Sequence, residues 1–214
     1  MSFAALMCPG ALLACLLFQA PLAWAGPDTV PAAFITASYS GRFFFKMVGG
    51  LPNGHASPQP DGGSGHGESF EVLEDGALKQ LWAVTGWYAR ELFLSDDGRT
   101  LVRLESLHPG RTVSKSDLAV VFYRDGVMVR EYHTADLVRQ PDRVRYHASG
   151  YVWLAPLWVP VADSTKADGI SKVARDPEAT PVLDSAGMFR IKTIDRIVYQ
   201  FEASTGKLVK RTTL

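Results

Sequence analysis

Cysteine is nearly absent from this chain of 214 residues, and its two cysteines, Cys8 and Cys15, both lie close to the N terminus. Residues 1–25 also lack any charged side chain; they contain a short apolar run and end in the small-x-small pattern Ala23-Trp24-Ala25. These features predict a secretory signal peptide that is cleaved after Ala25. The mature chain would then contain no cysteine, which excludes disulfides, thiol nucleophiles and cysteine metal sites.

The same N-terminal segment allows two other interpretations. Leu12-Leu13-Ala14-Cys15 resembles a lipoprotein box, so lipid attachment at Cys15 is an alternative to simple cleavage. A transmembrane helix needs about 20 apolar residues, and Pro9-Gly10 interrupts this segment. The sequence therefore predicts a periplasmic or secreted protein with no transmembrane helix in the mature chain, residues 26–214.

An excess of charge and the common catalytic motifs are also missing. The chain has 22 Lys and Arg residues against 22 Asp and Glu residues, so no basic stripe indicates a nucleic-acid partner. H-E-x-x-H, a P-loop and a dinucleotide fingerprint do not occur, and the nearest match to G-x-S-x-G, residues 62–66, ends in His66. We therefore expect no cofactor and favour a protein that is not an enzyme.

What the sequence does contain is a repeated Asp-Gly pair between runs of β-branched and aromatic residues. Asp75-Gly76, Asp97-Gly98 and Asp125-Gly126 predict hairpins with type I′ turns, which need positive φ at both central positions. Asp96 is adjacent to Asp97, whereas an EF-hand-like calcium loop needs carboxylates at alternate positions. We therefore interpret this acidic stretch as a hairpin corner and not as a metal or catalytic site.

Strand-like segments fall into three sets of four, at about 33–85, 88–133 and 145–213. A polar loop at 162–181 interrupts the last set, and residues 133–138 predict one short helical turn. The expected fold is a single all-β domain of antiparallel four-stranded meanders. Its sheets would form an open propeller-like stack, or a β-sandwich or barrel, because a closed propeller needs more blades than this length supplies.

A faint internal repeat supports this organisation. Residues 37–48 align with residues 94–105, and each copy consists of a turn, a basic residue, an apolar run and a second basic residue. This order predicts a strand that leaves a tight turn. The aligned positions are Ser38, Gly41, Arg42 and Lys46 with Ser95, Gly98, Arg99 and Arg103.

Two aromatic clusters are the candidate ligand-binding sites. Trp87 and Tyr88 lie in one cluster, and Tyr151 and Trp153 lie in the other, where strand alternation places both on one face. Aromatic side chains line grooves for sugars, peptides or lipids, but they also fill the cores of domains that lack disulfides. Both interpretations stay open at this point.

A Gly- and Pro-rich loop at 49–68 carries the candidate metal ligands. It contains His55 and His66, and imidazole is a common ligand of zinc. Two histidines in such a loop predict either a weak metal site or a solvated segment.

The hairpin motifs carry a resemblance. "GWYARELFLSDDGRTLVR", "LAVVFYRDGVMVREY", "VYQFEASTGKL" and "SGRFFFKMV" resemble a set of uncharacterised small secreted bacterial proteins over most of the mature chain. They are also similar to β-propeller segments, in which S-x-D-G-R turns recur. The resemblance implies an exported protein with propeller-like hairpins, and it implies no catalytic residue because these motifs specify turns.

Together these features predict an exported all-β protein that binds a partner in the cell envelope, either a protein, a glycan or a lipid. One alternative is a hydrolase that acts on an envelope polymer through carboxylates or histidines brought together by the fold. Another alternative is metal handling through the Gly/His loop.

Overall fold

A computed structural model describes residues 32–49, 65–110, 112–160 and 173–214. Strands account for 53% of the described residues and helices for 5%, and all strand pairs among them are antiparallel. None of the described sheets closes into a barrel. The structure thus confirms the predicted all-β class. None of the helices in the described ranges is long and apolar enough to span a membrane.

Three four-stranded sheets follow one another along the chain, with strands numbered in chain order. The first sheet consists of β1 (Phe34–Ala37), β2 (Phe43–Val48), β3 (His66–Val72) and β4 (Leu78–Thr85). The second consists of β5 (Glu91–Leu94), β6 (Thr100–Leu104), β8 (Leu118–Arg124) and β9 (Val127–His133). The third consists of β14 (Val182–Leu183), β15 (Met188–Lys192), β16 (Ile197–Glu202) and β17 (Lys207–Thr213).

Shorter elements occupy the chain outside these sheets. They are β7 (Leu107–His108), helix α1 (Thr134–Leu137), a 3-10 turn (Pro141–Arg143), β10 (Arg145–His147), β11 (Gly150–Val152), β12 (Trp158–Pro160) and β13 (Val173–Arg175). β11 lies between β10 and β7 in a small sheet, and β12 pairs with β13. Helix α1 confirms the predicted helical turn.

The structure differs from the sequence-based boundaries at three places. The sequence assigns residues 145–154 to the third set of four strands, but β11 pairs with β7 and the third sheet starts at Val182. His66 lies in β3 and not in the predicted loop, and the loop predicted at 162–181 includes β13. Strands of three residues, such as β11 and β13, are too short to show an alternation of apolar and polar residues. Whether they form depends on pairing with distant segments.

The inner strands of the second sheet, β6 and β8, are buried on both faces because the sheet lies between the other two. All five residues of β6 are buried, and its apolar side chains divide between two clusters on opposite faces. Val102 and Phe122 face the third sheet, where the rings of Phe122 and Phe201 lie 5.3 Å apart. Leu101 faces the first sheet in a cluster with Phe45. The core therefore consists of two layers of side chains, one on each face of the central sheet.

The first strands of the three sheets lie side by side, since β5 contacts both β1 and β14. The sheets are thus stacked in chain order with their first strands adjacent, as neighbouring blades are in a propeller. The arrangement among the described residues is an open propeller-like stack.

The turns that join the first two strands of the first and second sheets have the same geometry. Gly41 and Gly98 have φ of 71° and 66°, and each donates its N–H to the carbonyl of the serine three residues earlier at 3.0 Å. The aligned sequence repeat therefore corresponds to a repeated turn. The predicted type I′ geometry holds only for Asp125-Gly126, with φ of 51° and 80°; Asp75 and Asp97 have no positive φ. At those two corners a β-turn precedes a left-handed glycine.

Candidate functional site

Tyr151 and Trp153 share one face, as alternation predicts, but that face is the core. Both side chains are fully buried in the cluster between the second and third sheets. The indole Nε1 of Trp153 donates to the carbonyl of Glu105 at 2.7 Å, and the hydroxyl of Tyr151 donates to Asp117 at 2.5 Å. Neither ring presents a face to solvent in the described structure.

Trp87 and Tyr88 lie in the other cluster, between the first and second sheets, and do not meet Tyr151 or Trp153. Both are half-buried. The ring of Trp87 stacks on that of Tyr123 at 5.2 Å, and the Tyr88 hydroxyl donates to the carbonyl of Ala32 at 2.9 Å. Burial raises the pKa of Tyr88. The two predicted pairs are therefore in separate parts of the molecule.

The metal hypothesis rests on His55 and His66. His55 lies outside the described residues, and His66 is exposed on β3. The described part of the chain contains no group of three His, Cys, Asp or Glu side chains that could hold a metal ion. Metal binding through the loop therefore stays a prediction.

A groove of about 560 Å³ runs between β9 and β17, the fourth strands of the second and third sheets. Three arginines from separate elements converge on it: Arg130 from β9, Arg139 from the segment after α1, and Arg211 from β17. All three are exposed. The other lining residues are Glu131, Tyr132, Ala135, Asp136, Leu137, Tyr199 and Leu208.

The charges of this arginine groove are not balanced by ion pairs. None of its three arginines forms an ion pair with another described residue. The two acidic side chains that line it are engaged elsewhere: Glu131 lies 3.5 Å from the His133 ring, and Asp136 accepts the His133 backbone N–H at 2.9 Å. The groove is therefore lined by three guanidinium groups that form no ion pair with a described carboxylate, although the side chains of Glu131 and Asp136 also line it.

Hydrogen bonds from Asp195 and Tyr199 fix the backbone around Arg139 on one side of the groove. The buried carboxylate of Asp195 accepts the backbone N–H of Arg139 at 2.7 Å and that of Gln140 at 3.2 Å. The Tyr199 hydroxyl donates to the carbonyl of Leu137 at 2.6 Å. Burial raises the pKa of Tyr199, and the neighbouring Arg139 acts in the opposite direction. The third sheet thus holds the segment after α1 in place.

A second cleft, of about 310 Å³, lies between β6, β7 and the start of β8. Arg103 lines it with its side chain 5% exposed, and its Nε donates to Glu105 at 2.7 Å. The guanidinium also lies over the Trp87 ring, 4.9 Å from the centroid. An ion pair and a cation–π contact therefore both hold Arg103. The other lining residues are Leu107, His108, Pro109, Ser116, Asp117 and Leu118.

Asp117 also lines this second cleft, which we call the histidine cleft after His108, and its carboxylate has no cationic partner among the described residues. Its Oδ2 accepts the Ser114 backbone N–H at 2.8 Å and the Tyr151 hydroxyl at 2.5 Å. Burial, and then the hydrogen bond to Asp117, raise the pKa of Tyr151. Asp117 takes part in no ion pair with the described residues.

His108 also lines the cleft and is buried, at 7% exposure, and the centroid of its ring lies 5.4 Å from that of the Tyr151 ring. Its Nε2 atom is buried and has no hydrogen-bond partner among the described residues. Burial lowers the pKa of His108, although the Asp117 carboxylate and a hydrogen bond to the Leu118 backbone act in the opposite direction. The neutral imidazole is therefore favoured.

Sequence reasoning found neither the arginine groove nor the histidine cleft. Arg130, Arg139 and Arg211 belong to no motif, and only the stacking of two sheets brings them together. His108 gives a weak signal in the sequence because a single histidine on a short strand is usually structural. No family model matches the chain, and no curated protein matches it either. The candidate sites therefore rest on their own geometry.

Proposed function

We propose that this protein is exported and acts in the cell envelope by binding, without catalysis, and that the arginine groove holds an acidic glycan. The observation that carries the proposal is the convergence of three exposed guanidinium groups, none with an ion-pair partner in the described chain, on one groove. Arginine favours carboxylate and phosphate ligands because its planar fork donates two parallel hydrogen bonds.

The shape of the groove favours a glycan over a protein or a lipid. Its volume of about 560 Å³ lies within the range of sites for small ligands, whereas a stable protein interface involves about 20–30 residues on each side. Tyr132 and Tyr199 line the groove beside the arginines, and aromatic rings with a polar tip suit ligands that are partly apolar and partly hydrated. A lipid tail is disfavoured because it would lie against the three guanidinium groups that line the groove.

Binding to oligogalacturonate, which bears a carboxylate on every ring, tests the proposal by isothermal titration calorimetry. The triple variant Arg130→Ala, Arg139→Ala, Arg211→Ala should bind at least tenfold more weakly than the wild-type protein, and binding should weaken as salt is added. Arg143→Ala is the matched control, since Arg143 is exposed on the 3-10 turn outside the groove. It should leave affinity within about twofold.

Other ligands identify the chemistry that the groove selects. If a phosphate-bearing mannan binds and oligogalacturonate does not, the proposal of an acidic glycan is supported and the acidic group is a phosphate instead of a carboxylate. Equal binding of uncharged maltooligosaccharides, equal affinity of the triple variant, or a preference for polyglutamate over both acidic glycans would overturn it.

Hydrolysis of an envelope polymer is the competing function. It is favoured by one observation, namely that His108, Asp117 and Glu105 line the same cleft. Release of soluble fragments from purified peptidoglycan by the wild-type protein, and loss of that release in His108→Ala, would favour hydrolysis over binding.

A further inference from the structure

The histidine cleft contains one buried hydrogen-bond acceptor, Nε2 of His108, that has no donor among the described residues. A hydrogen bond to a backbone group that raises the pKa of His108 is one that the ring donates, so the Leu118 carbonyl accepts it. Because Nε2 has no partner, the donor is Nδ1, and Nε2 of the neutral ring carries a lone pair. A buried acceptor without a partner is destabilising, so a ligand that donates a hydrogen bond to Nε2 would be stabilised here.

The charges in the cleft also point to a donor. Arg103 is paired with Glu105, so these two charges offset each other. The remaining charge is the carboxylate of Asp117, which accepts two uncharged donors and has no ion pair in the described structure. Among the described residues, the cleft therefore combines an unpartnered nitrogen lone pair with one carboxylate that forms no ion pair.

We propose that the histidine cleft binds a primary ammonium group, which donates one hydrogen bond to Nε2 of His108 and forms an ion pair with Asp117. An ammonium group has three donors and no acceptor, so it matches these two groups. The volume of about 310 Å³ is at the lower end of ligand sites, which suits an amino sugar or one amine side chain. Nε2 is covered in the free protein, so a small movement of the ring accompanies binding. This inference does not depend on the arginine groove.

A divalent cation is the obvious competitor for a histidine and a carboxylate. His108, Asp117 and Glu105 line the cleft, but no three such side chains among the described residues are grouped so that they could hold a metal ion. A bound metal would have to take most of its ligands from water. The ammonium group needs only the two acceptors that are present.

Glucosamine and glucose make a matched pair of probes, because they differ only in an ammonium group against a hydroxyl at one carbon. Nuclear magnetic resonance of the wild-type protein with ¹⁵N-labelled histidine should show glucosamine moving the Nε2 resonance of His108 and leaving that of His147, which is exposed, unchanged. Glucose should move neither. Nα-acetyl-lysine amide, tested in parallel, distinguishes an amino sugar from a lysine side chain as the source of the ammonium group.

Two variants identify the ion pair. Asp117→Asn keeps an acceptor for Tyr151 and removes the charge, and it should weaken glucosamine binding at least tenfold. Asp142→Asn makes the same change on the exposed 3-10 turn and should leave binding within twofold. If Asp117→Asn does not fold, the resonance shift of His108 in the wild-type protein still decides the question. A response to zinc but to no amine, equal shifts with glucose, or unchanged affinity of a folded Asp117→Asn variant would overturn the proposal.

Discussion

The indole Nε1 of Trp82 donates a 2.8 Å hydrogen bond to the carbonyl of Gly98, which joins the fourth strand of the first sheet to a turn of the second. The Ser69 hydroxyl donates to the same carbonyl at 2.8 Å. At the next interface the Tyr132 hydroxyl donates to the carbonyl of Gly206 at 2.9 Å. Each interface thus contains an aromatic side chain bound to a turn glycine of the following sheet. Because apolar contacts are not directional, we infer that these bonds fix how the sheets align.

Removing the indole donor should destabilise the first interface. Trp82→Phe keeps an aromatic ring but leaves the buried Gly98 carbonyl with Ser69 alone, and it should lower the free energy of unfolding by roughly 1–3 kcal/mol. Urea denaturation followed by circular dichroism measures the change. Trp158→Phe is the control, because Trp158 is 59% exposed, and it should stay within about 0.5 kcal/mol of wild type. Equal losses in the two variants would contradict this role for Trp82.

The two equivalent turn glycines should respond differently to alanine. Gly41 and Gly98 both have positive φ, so each substitution costs about 1 kcal/mol from backbone strain. A Cβ at Gly98 would also lie 2.4 Å from Cδ1 of Phe43, whereas nothing lies within 4 Å of one at Gly41. Gly98→Ala should therefore lose roughly 1–3 kcal/mol more than Gly41→Ala, measured by urea denaturation. Equal losses would mean that the turn moves away from the first sheet at no cost.

The carboxyl of Glu91 should make stability depend on pH. Burial raises the pKa of Glu91, and the hydrogen bond from Ser106 only partly offsets it. The folded protein then holds this proton at pH values where the unfolded chain has lost it, so ionised Glu91 opposes folding at neutral pH. This penalty disappears as the pH falls through the folded pKa towards the unfolded value near 4.5.

Glu91→Gln removes the ionisable group and should raise the melting temperature at pH 7, with a smaller gain at pH 5. Glu74→Gln is the control because Glu74 is exposed in the turn after β3, and it should change neither value. A lower melting temperature for Glu91→Gln at both pH values would show that the negative charge is stabilising. The measurement is thermal denaturation at the two pH values.

Export can be tested without any ligand. Mass spectrometry of the protein recovered from the cell envelope should show an N terminus at Gly26, because the small residues at Ala23 and Ala25 fit the cleavage pattern. An intact Met1, or a lipid-modified Cys15, would contradict simple cleavage. In the second case the lipoprotein alternative would replace it.

Local chemistry explains what could be predicted from the sequence. Asp75-Gly76, Asp97-Gly98 and Asp125-Gly126 each join two antiparallel strands as predicted, since glycine adopts positive φ at low cost. The alternation rule also placed Tyr151 and Trp153 on one face, but only the packing of the third sheet makes that face the core. Likewise, Arg130 and Arg211 are remote in the chain. They line the same groove because β9 and β17 are the fourth strands of adjacent sheets. Sites made by stacking leave no local pattern.

The burial of β6 and β8 on both faces has a consequence for how the chain is made. Synthesis proceeds from the N terminus, so the second sheet is complete once His133 has emerged. Its face with Val102 and Phe122 stays uncovered until β15 and β16, residues 188–202, arrive. An incomplete chain therefore exposes a broad apolar surface and is prone to aggregate. Aggregation is therefore avoided only if the incomplete chain does not contact other unfolded chains before residues 188–202 have been synthesised.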